Sequence, residues 1–246
     1  MPRNPEEKII IPLDLDGERE AREVIELMDG TGVSTFKVGH QLATSMGAPQ
    51  AVKMLNEYEK KIFLDLKYHD IPNTHAKAAK AAARLGVWAF NIHASAGIPA
   101  MREAVMNRGD SLVLAVTVLT SIDDKQCDRI YGCTTTERQV YNFASDAARA
   151  GCDGIICSPR EIVELRSSRS FDGMILVTPG IRPGWALHND QKRTMTPYEA
   201  IVSGADHLVI GRPCTNPPAV VNGPMDAVSR IGKEIAEGLA KRGKKL

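Results

Sequence analysis

Eight short apolar runs alternate with helical patterns along the chain, and this alternation constrains the fold more than any other feature. The first run, Ile9-Ile-Ile-Pro-Leu13, is β-branched and suits a strand buried on both faces, with Pro12 as the one objection. After Asp16 as N-cap, Ala21, Val24, Ile25 and Met28 keep helical spacing until Gly30 stops the helix. Further strand signals fall at 34–38, from Phe63 onward, and at 87–93, 111–119, 154–157, 174–178 and 207–210. Helical patterns lie between them at 49–58, 75–85, 97–106, 137–150 and 160–166, and a last one runs over 227–241. No composition break or low-complexity linker interrupts the series. The expectation is an α/β fold, a single (β/α)₈ barrel domain spanning residues 1–246, with a doubly wound open sheet as the alternative. The longest connections, 120–136 and 181–196, both follow strands, which in a barrel puts them at the face where active sites are built.

Composition narrows the function classes. Lys and Arg number 31 against 30 Asp and Glu, so a polyanion-coating or strongly basic nucleic-acid protein is not expected, and any anion must be held by local charge. Five cysteines, Cys127, Cys133, Cys152, Cys157 and Cys214, form no CxxC pair and read as reduced thiols of an intracellular protein. No apolar run reaches the roughly 18 residues of a membrane span, and the first residues lack the apolar core of a signal peptide. A soluble cytoplasmic protein without membrane or nucleic-acid partners is expected.

Charge then appears where apolar groups belong. Asp65 and Lys67 are two apart on a strand and point to one side, while Leu64 and Leu66 point to the other. Either a compensating ion pair or a working site explains opposite charges so placed. Asp14, Lys37 and His93 also fall at or just after strand ends, and the coincidence favours a site. Alternating Asp and Lys keeps each group ionised and is preorganised to stabilise developing charge. The segment Thr178-Pro-Gly-Ile-Arg-Pro-Gly184 opens a polar stretch that reads as a lid or as a solvated loop. In it Arg182 offers a fork for phosphate, Gln191 an amide, and Gly180 and Gly184 hinges. Gly211-Arg212 after the eighth strand stands where barrels hold phosphate. Thr120 and Ser121 offer hydrogen bonds to a heterocycle, as Ser and Thr do in any loop. No HExxH, carboxylate-rich cluster, GxGxxG, GxxxxGK[ST] or GxSxG is present, so no metal is expected, and dinucleotide, P-loop and serine-hydrolase chemistries lose their usual support.

The stretch Asp65-Leu-Lys67-Tyr-His-Asp70-Ile-Pro-Asn-Thr74 resembles the signature of the orotidine 5′-monophosphate decarboxylase family, in its bacterial type. Phe36-Lys-Val-Gly39, Asn91-Ile-His-Ala94, Thr117-Val-Leu-Thr-Ser121, Val177-Thr-Pro-Gly-Ile-Arg-Pro183, Asp190-Gln-Lys-Arg193 and Ile210-Gly-Arg-Pro213 resemble its other blocks in the same order. The resemblance implies a cofactor-free carboxy-lyase of de novo pyrimidine biosynthesis that converts orotidine 5′-monophosphate to uridine 5′-monophosphate. It implies that Asp65 sits against the leaving carboxylate and that Lys67 stabilises and protonates the C6 carbanion. Asp14 and Lys37 would hold the ribose, Thr120 and Ser121 the pyrimidine, and Arg182, Gln191, Gly211 and Arg212 the phosphate. It further implies a homodimer in which Asp70, Ile71 and Thr74 reach the partner's site. Pro12, where a small residue is usual, and Cys214-Thr-Asn-Pro-Pro218 depart from the family pattern.

Overall fold

The computed structural model describes residues 4–132, 135–186 and 194–243. A 3-10 turn, Pro5–Lys8, leads into β1 (Ile9–Pro12), α1 (Glu18–Leu27), β2 (Thr35–Val38), α2 (His40–Met46), α3 (Ala48–Asn56), β3 (Lys61–Tyr68) and α4 (Pro72–Arg84). The chain continues through β4 (Ala89–His93), α5 (Ile98–Met106), β5 (Leu112–Val116), α6 (Asp124–Tyr131), α7 (Thr136–Ala150) and β6 (Gly154–Ile156). Then follow α8 (Ile162–Ser167), β7 (Ile175–Thr178), α9 (Pro197–Ser203), β8 (His207–Val209), α10 (Arg212–Thr215) and α11 (Gly223–Arg242). Every strand runs parallel to the next, and β1 pairs with β8 through Ile9↔Leu208 and Ile10↔Val209. That pairing closes the barrel and excludes the open sheet.

Four helices, α2, α6, α9 and α10, carry no sequence expectation: each is only 4 to 8 residues long, too short to repeat an apolar stripe. α2 buries only Leu42 and α6 only Cys127. α6 and α9 instead open on capping boxes, Asp123 with Gln126 and Thr196 with Glu199, which satisfy the first free backbone N–H groups. The connection 120–136 is therefore not bare loop. Asp16 is not the N-cap of α1: Gly17 is, and the Asp16 carboxylate accepts from Gln41 Nε2 at 2.6 Å. β5 ends at Val116 and not at 119, so Val118 and Leu119 leave the ladder and turn to the cavity wall.

Side chains fill the barrel by alternate strands. Ile10, Phe63, Leu114 and Val177, from β1, β3, β5 and β7, form a buried inner cluster together with Ala89. Leu64 packs in the larger cluster between strands and helices. Inward positions on β3 therefore run Phe63, Asp65, Lys67: an apolar floor, then charge. Below that floor, the carboxylates before β6 and β8 stitch neighbouring strands. Asp153 accepts from Val113 N at 2.8 Å and pairs with Arg108; Asp206 accepts from Leu176 N at 2.9 Å and pairs with Arg166. These pairs brace the N-terminal end of the barrel, opposite the end where the charged row lies.

Candidate active site

At the C-terminal end of the barrel lies a cavity of about 690 Å³ whose floor includes Phe63. Asp14, Lys37, Asp65 and Lys67 line it as one unbroken row. Lys37 Nζ lies 3.0 Å from Asp14 Oδ1 and 3.1 Å from Asp65 Oδ2, and Lys67 Nζ lies 2.7 Å from Asp65 Oδ1. The row places two ammonium groups against two carboxylates and is balanced in charge. Gly39 makes room for it, since a Cβ there would meet Lys37 Nζ at 2.8 Å and Asp14 Oδ1 at 2.9 Å.

Burial and charge act in opposite directions on the two inner members. Burial alone would raise the Asp65 carboxyl, but Lys37 and Lys67 outweigh it and hold the group below its ordinary value. Burial would lower Lys37, but Asp65 and Asp14 outweigh that and hold the ammonium above its ordinary value. The stabilisation from Asp65 is therefore present above the carboxyl's unfolded pKa of about 4 and fades as pH falls through its lower folded value. That from Lys37 is present below about 10.4 and fades as pH rises through its higher folded value. Between these limits Asp65 stays a carboxylate and Lys37 an ammonium.

The opposite rim comes from β7 and β8. Arg182 and Arg212 both line the cavity, with Gly180, Gly211 and Thr120. Arg182 is fixed from both sides: its N–H donates to Met195 O at 2.9 Å, and its Nη1 donates to Ile181 O at 2.9 Å. The segment that leaves the barrel after β7 thus returns at Met195 beside Ile181, so the base of the expected lid is anchored. Gln191 lies outside the described residues. Gly180 has a left-handed φ of 79°, as a sharp exit from β7 requires, whereas Gly184 does not. Pro12 also lines the cavity; its ring would stand 3.0 Å from a Cβ at Gly211, so this departure from the family pattern packs against the loop that carries Arg212.

Not every expected site residue joins this cavity. Asp70, Ile71 and Thr74 lie at the exposed corner between β3 and α4, where Asp70 and Thr74 line a smaller hollow of about 330 Å³ that also touches Lys67. There Asp70 N–H donates to His75 Nε2 at 2.8 Å, and Asp70 Oδ1 accepts from Ile71 N at 2.7 Å. Ile71 is 64% exposed, unusual for an isoleucine beside such a site. Thr120 and Ser121 are both exposed, but only Thr120 lines the cavity. His93 is outside it too; its ring packs on His69 with centroids 5.4 Å apart, and burial, then His69 and Lys67, hold its pKa below the ordinary value. Cys157 lines the wall, but burial pushes its thiol up to about 12, so it is no thiolate nucleophile. Among the described residues no group of three His, Cys, Asp or Glu side chains is placed to hold a metal ion, and no helix is long and apolar enough to cross a membrane.

The sequence profile described as "Orotidine 5'-phosphate decarboxylase / HUMPS family" matches residues 7–222. The chain belongs to this family. It is 41% identical over 236 residues to an orotidine 5'-phosphate decarboxylase of Saccharophagus degradans, covering 94% of this chain and 96% of the relative. It is 43% identical over 234 residues to one of Haemophilus ducreyi, covering 93% and 99%. The crystal structure of orotidine 5'-phosphate decarboxylase from Lactobacillus acidophilus superposes with a TM-score of 0.78 at 34% identity, covering 92% of this chain and 98% of that one.

Within the decarboxylase family frame, two features of the charged row escape the reading of residue spacing. Lys67 has a left-handed φ of 47°, and the β3–β4 register shifts between Leu64 and Tyr68. Asn91, named above only as part of a matching block, is completely buried against the row. Its amide could have been singled out as a polar side chain in the middle of the apolar β4 run.

Proposed function

We propose that this chain catalyses the cofactor-free decarboxylation of orotidine 5′-monophosphate to uridine 5′-monophosphate and carbon dioxide, the closing step of de novo pyrimidine biosynthesis, with Lys67 protonating C6. Membership of the decarboxylase family supports the reaction. The observation that carries the mechanism is the row Asp14–Lys37–Asp65–Lys67 facing the two guanidinium groups of Arg182 and Arg212 across one cavity.

The orotate ring offers no electron sink for the pair left when its carboxylate departs, so the barrier falls only if the carbanion itself is stabilised. Lys67, at the open end of the row, is the cation that meets it. As the C6–carboxylate bond breaks, the electron pair stays on C6 and takes a proton from Lys67 Nζ. The neutral amine then regains a proton from water. Lys67 supplies both charge and proton, so the step calls for no metal or organic cofactor. Asp65 stands against the leaving carboxylate and holds Lys67 Nζ at 2.7 Å. Lys37 and Asp14 hold the ribose hydroxyls, and Thr120 faces the pyrimidine. Arg182, Gln191, Gly211 and Arg212 bind the phosphate, whose binding energy, remote from the bond that breaks, is available to lower the barrier at C6.

The whole of residues 1–246 acts as one barrel domain in the cytoplasm, as a homodimer. The exposed corner Asp70, Ile71 and Thr74 enters the partner's site, which would cover the exposed Ile71. Mixed dimers of Lys67→Ala and Asp70→Asn subunits, each inactive alone, should regain about half of one dimer's activity, because one site of each heterodimer is then intact. Recovery no greater than the sum of the parent variants would exclude shared sites.

Mixing the purified protein with orotidine 5′-monophosphate and following the orotate absorbance tests the reaction. The expected result is complete conversion to uridine 5′-monophosphate. A folded dimer that binds uridine 5′-monophosphate without consuming substrate would make the chain a nucleotide-binding protein instead.

A further inference from the structure

The irregular turn of β3 leaves a backbone donor without its ladder partner. β3 pairs with β4 through Phe63↔Ala89 and Leu64↔Phe90, and pairing resumes only at Tyr68↔Ile92. Four residues of β3 therefore advance against two of β4, and Lys67 within that stretch takes its left-handed φ of 47°. The Lys67 N–H meets a side chain instead, donating to Asn91 Oδ1 at 2.7 Å. The same amide donates from Nδ2 to Asp65 Oδ1 at 2.6 Å.

Asn91 is 0% exposed, so both its bonds are made away from water. A primary amide is the small side chain that presents an acceptor and a donor in one plane. Its orientation follows from its partners: a backbone N–H can only be met by the oxygen, and a carboxylate only by the nitrogen. Asp65 is then gripped by three donors, Asn91 Nδ2 and Lys67 Nζ on Oδ1 and Lys37 Nζ on Oδ2. A left-handed lysine is a strained conformation that persists only where its surroundings hold it.

We propose that Asn91 is a positioning residue for decarboxylation, one amide that fixes the Asp65 carboxylate and the Lys67 backbone together. The proposal deepens the reading of the site given under Proposed function and rests on it. Without the amide, Asp65 turns about its side-chain bond, β3 relaxes at Lys67, and the ammonium leaves the line of attack on C6. The phosphate contacts, on other strands, are untouched, and Lys37, although it loses Asp65, keeps Asp14 at 3.0 Å to hold the ribose. The loss therefore falls on the chemical step and not on binding.

The test uses Asn91→Leu, of similar size without polar atoms, and Asn91→Asp, which keeps the acceptor but faces Asp65 with a second carboxylate. The measurements are kcat and KM for orotidine 5′-monophosphate, the Kd of uridine 5′-monophosphate, and the rate at which its C6 hydrogen exchanges with deuterium oxide. That exchange runs the same proton transfer in reverse. Each variant is expected to lose on the order of 10²-fold in kcat, the scale of a catalytic group displaced by about an ångström. C6 exchange should fall in parallel, with the product Kd within about threefold of the parent. Should leucine not fold, aspartate carries the test alone. Retained kcat in a folded variant, or product affinity falling as far as kcat, overturns the positioning role while the parent still turns over. A parent protein without turnover overturns the decarboxylase reading and this proposal together.

Discussion

Replacing Lys67 with alanine is expected to reduce turnover of orotidine 5′-monophosphate by on the order of 10⁴-fold or more, because the change removes a general acid and the cation beside the developing carbanion at once. The fold should survive. Asp65 keeps Lys37 at 3.1 Å and Asn91 at 2.6 Å, so no carboxylate is left buried and unpaired. Alanine also places the same Cβ as lysine at the left-handed φ of 47°, adding no new backbone strain. Steady-state kinetics beside a thermal melt check this. A variant that melts near the parent but retains more than a hundredth of its turnover would remove Lys67 from the chemistry.

The second large effect is expected at the other end of the cavity. Arg212→Ala should lower kcat/KM for the nucleotide by about 30-fold to several thousandfold, the range for truncating one partner of a desolvated charge pair. The nucleoside orotidine, which lacks the phosphate, should lose no more than a few fold. Because the phosphate is remote from the bond that breaks, part of the loss should appear in kcat and not only in KM. Arg212→Lys keeps the charge but not the planar fork, and should fall between the two. Equal losses on nucleotide and nucleoside would take Arg212 away from phosphate.

Much of this was legible in residue order. The barrel followed from β-branched runs alternating with helices, and the row from charges at the ends of β1, β2 and β3, because strand periodicity fixes which way a side chain points. Short helices held by caps, α6 above all, are too polar to announce themselves by apolar residues, since Cys127 is the one side chain α6 buries. Nor does spacing reveal that β3 breaks its ladder at Lys67, since a lysine at positive φ carries no sequence mark of the kind glycine does. Asn91 was hidden for the same reason: its role exists only once that break has stranded a backbone N–H. The corner at Asp70, Ile71 and Thr74 was expected from family resemblance to serve a second subunit, and in one chain it stands exposed, outside the main cavity.

In the proposed reaction this chain's own lysine, without a metal, carries the proton to C6. Turnover of orotidine 5′-monophosphate in deuterium oxide, by protein dialysed against a chelator and assayed in its presence, tests it most directly. The expected result is one carbon dioxide per uridine 5′-monophosphate, a rate equal to that without the chelator in the same solvent, one deuterium at C6, and loss of all three with Lys67→Ala. Activity abolished by the chelator and restored by a divalent cation, or deuterated product formed at the parent rate by Lys67→Ala, would contradict it.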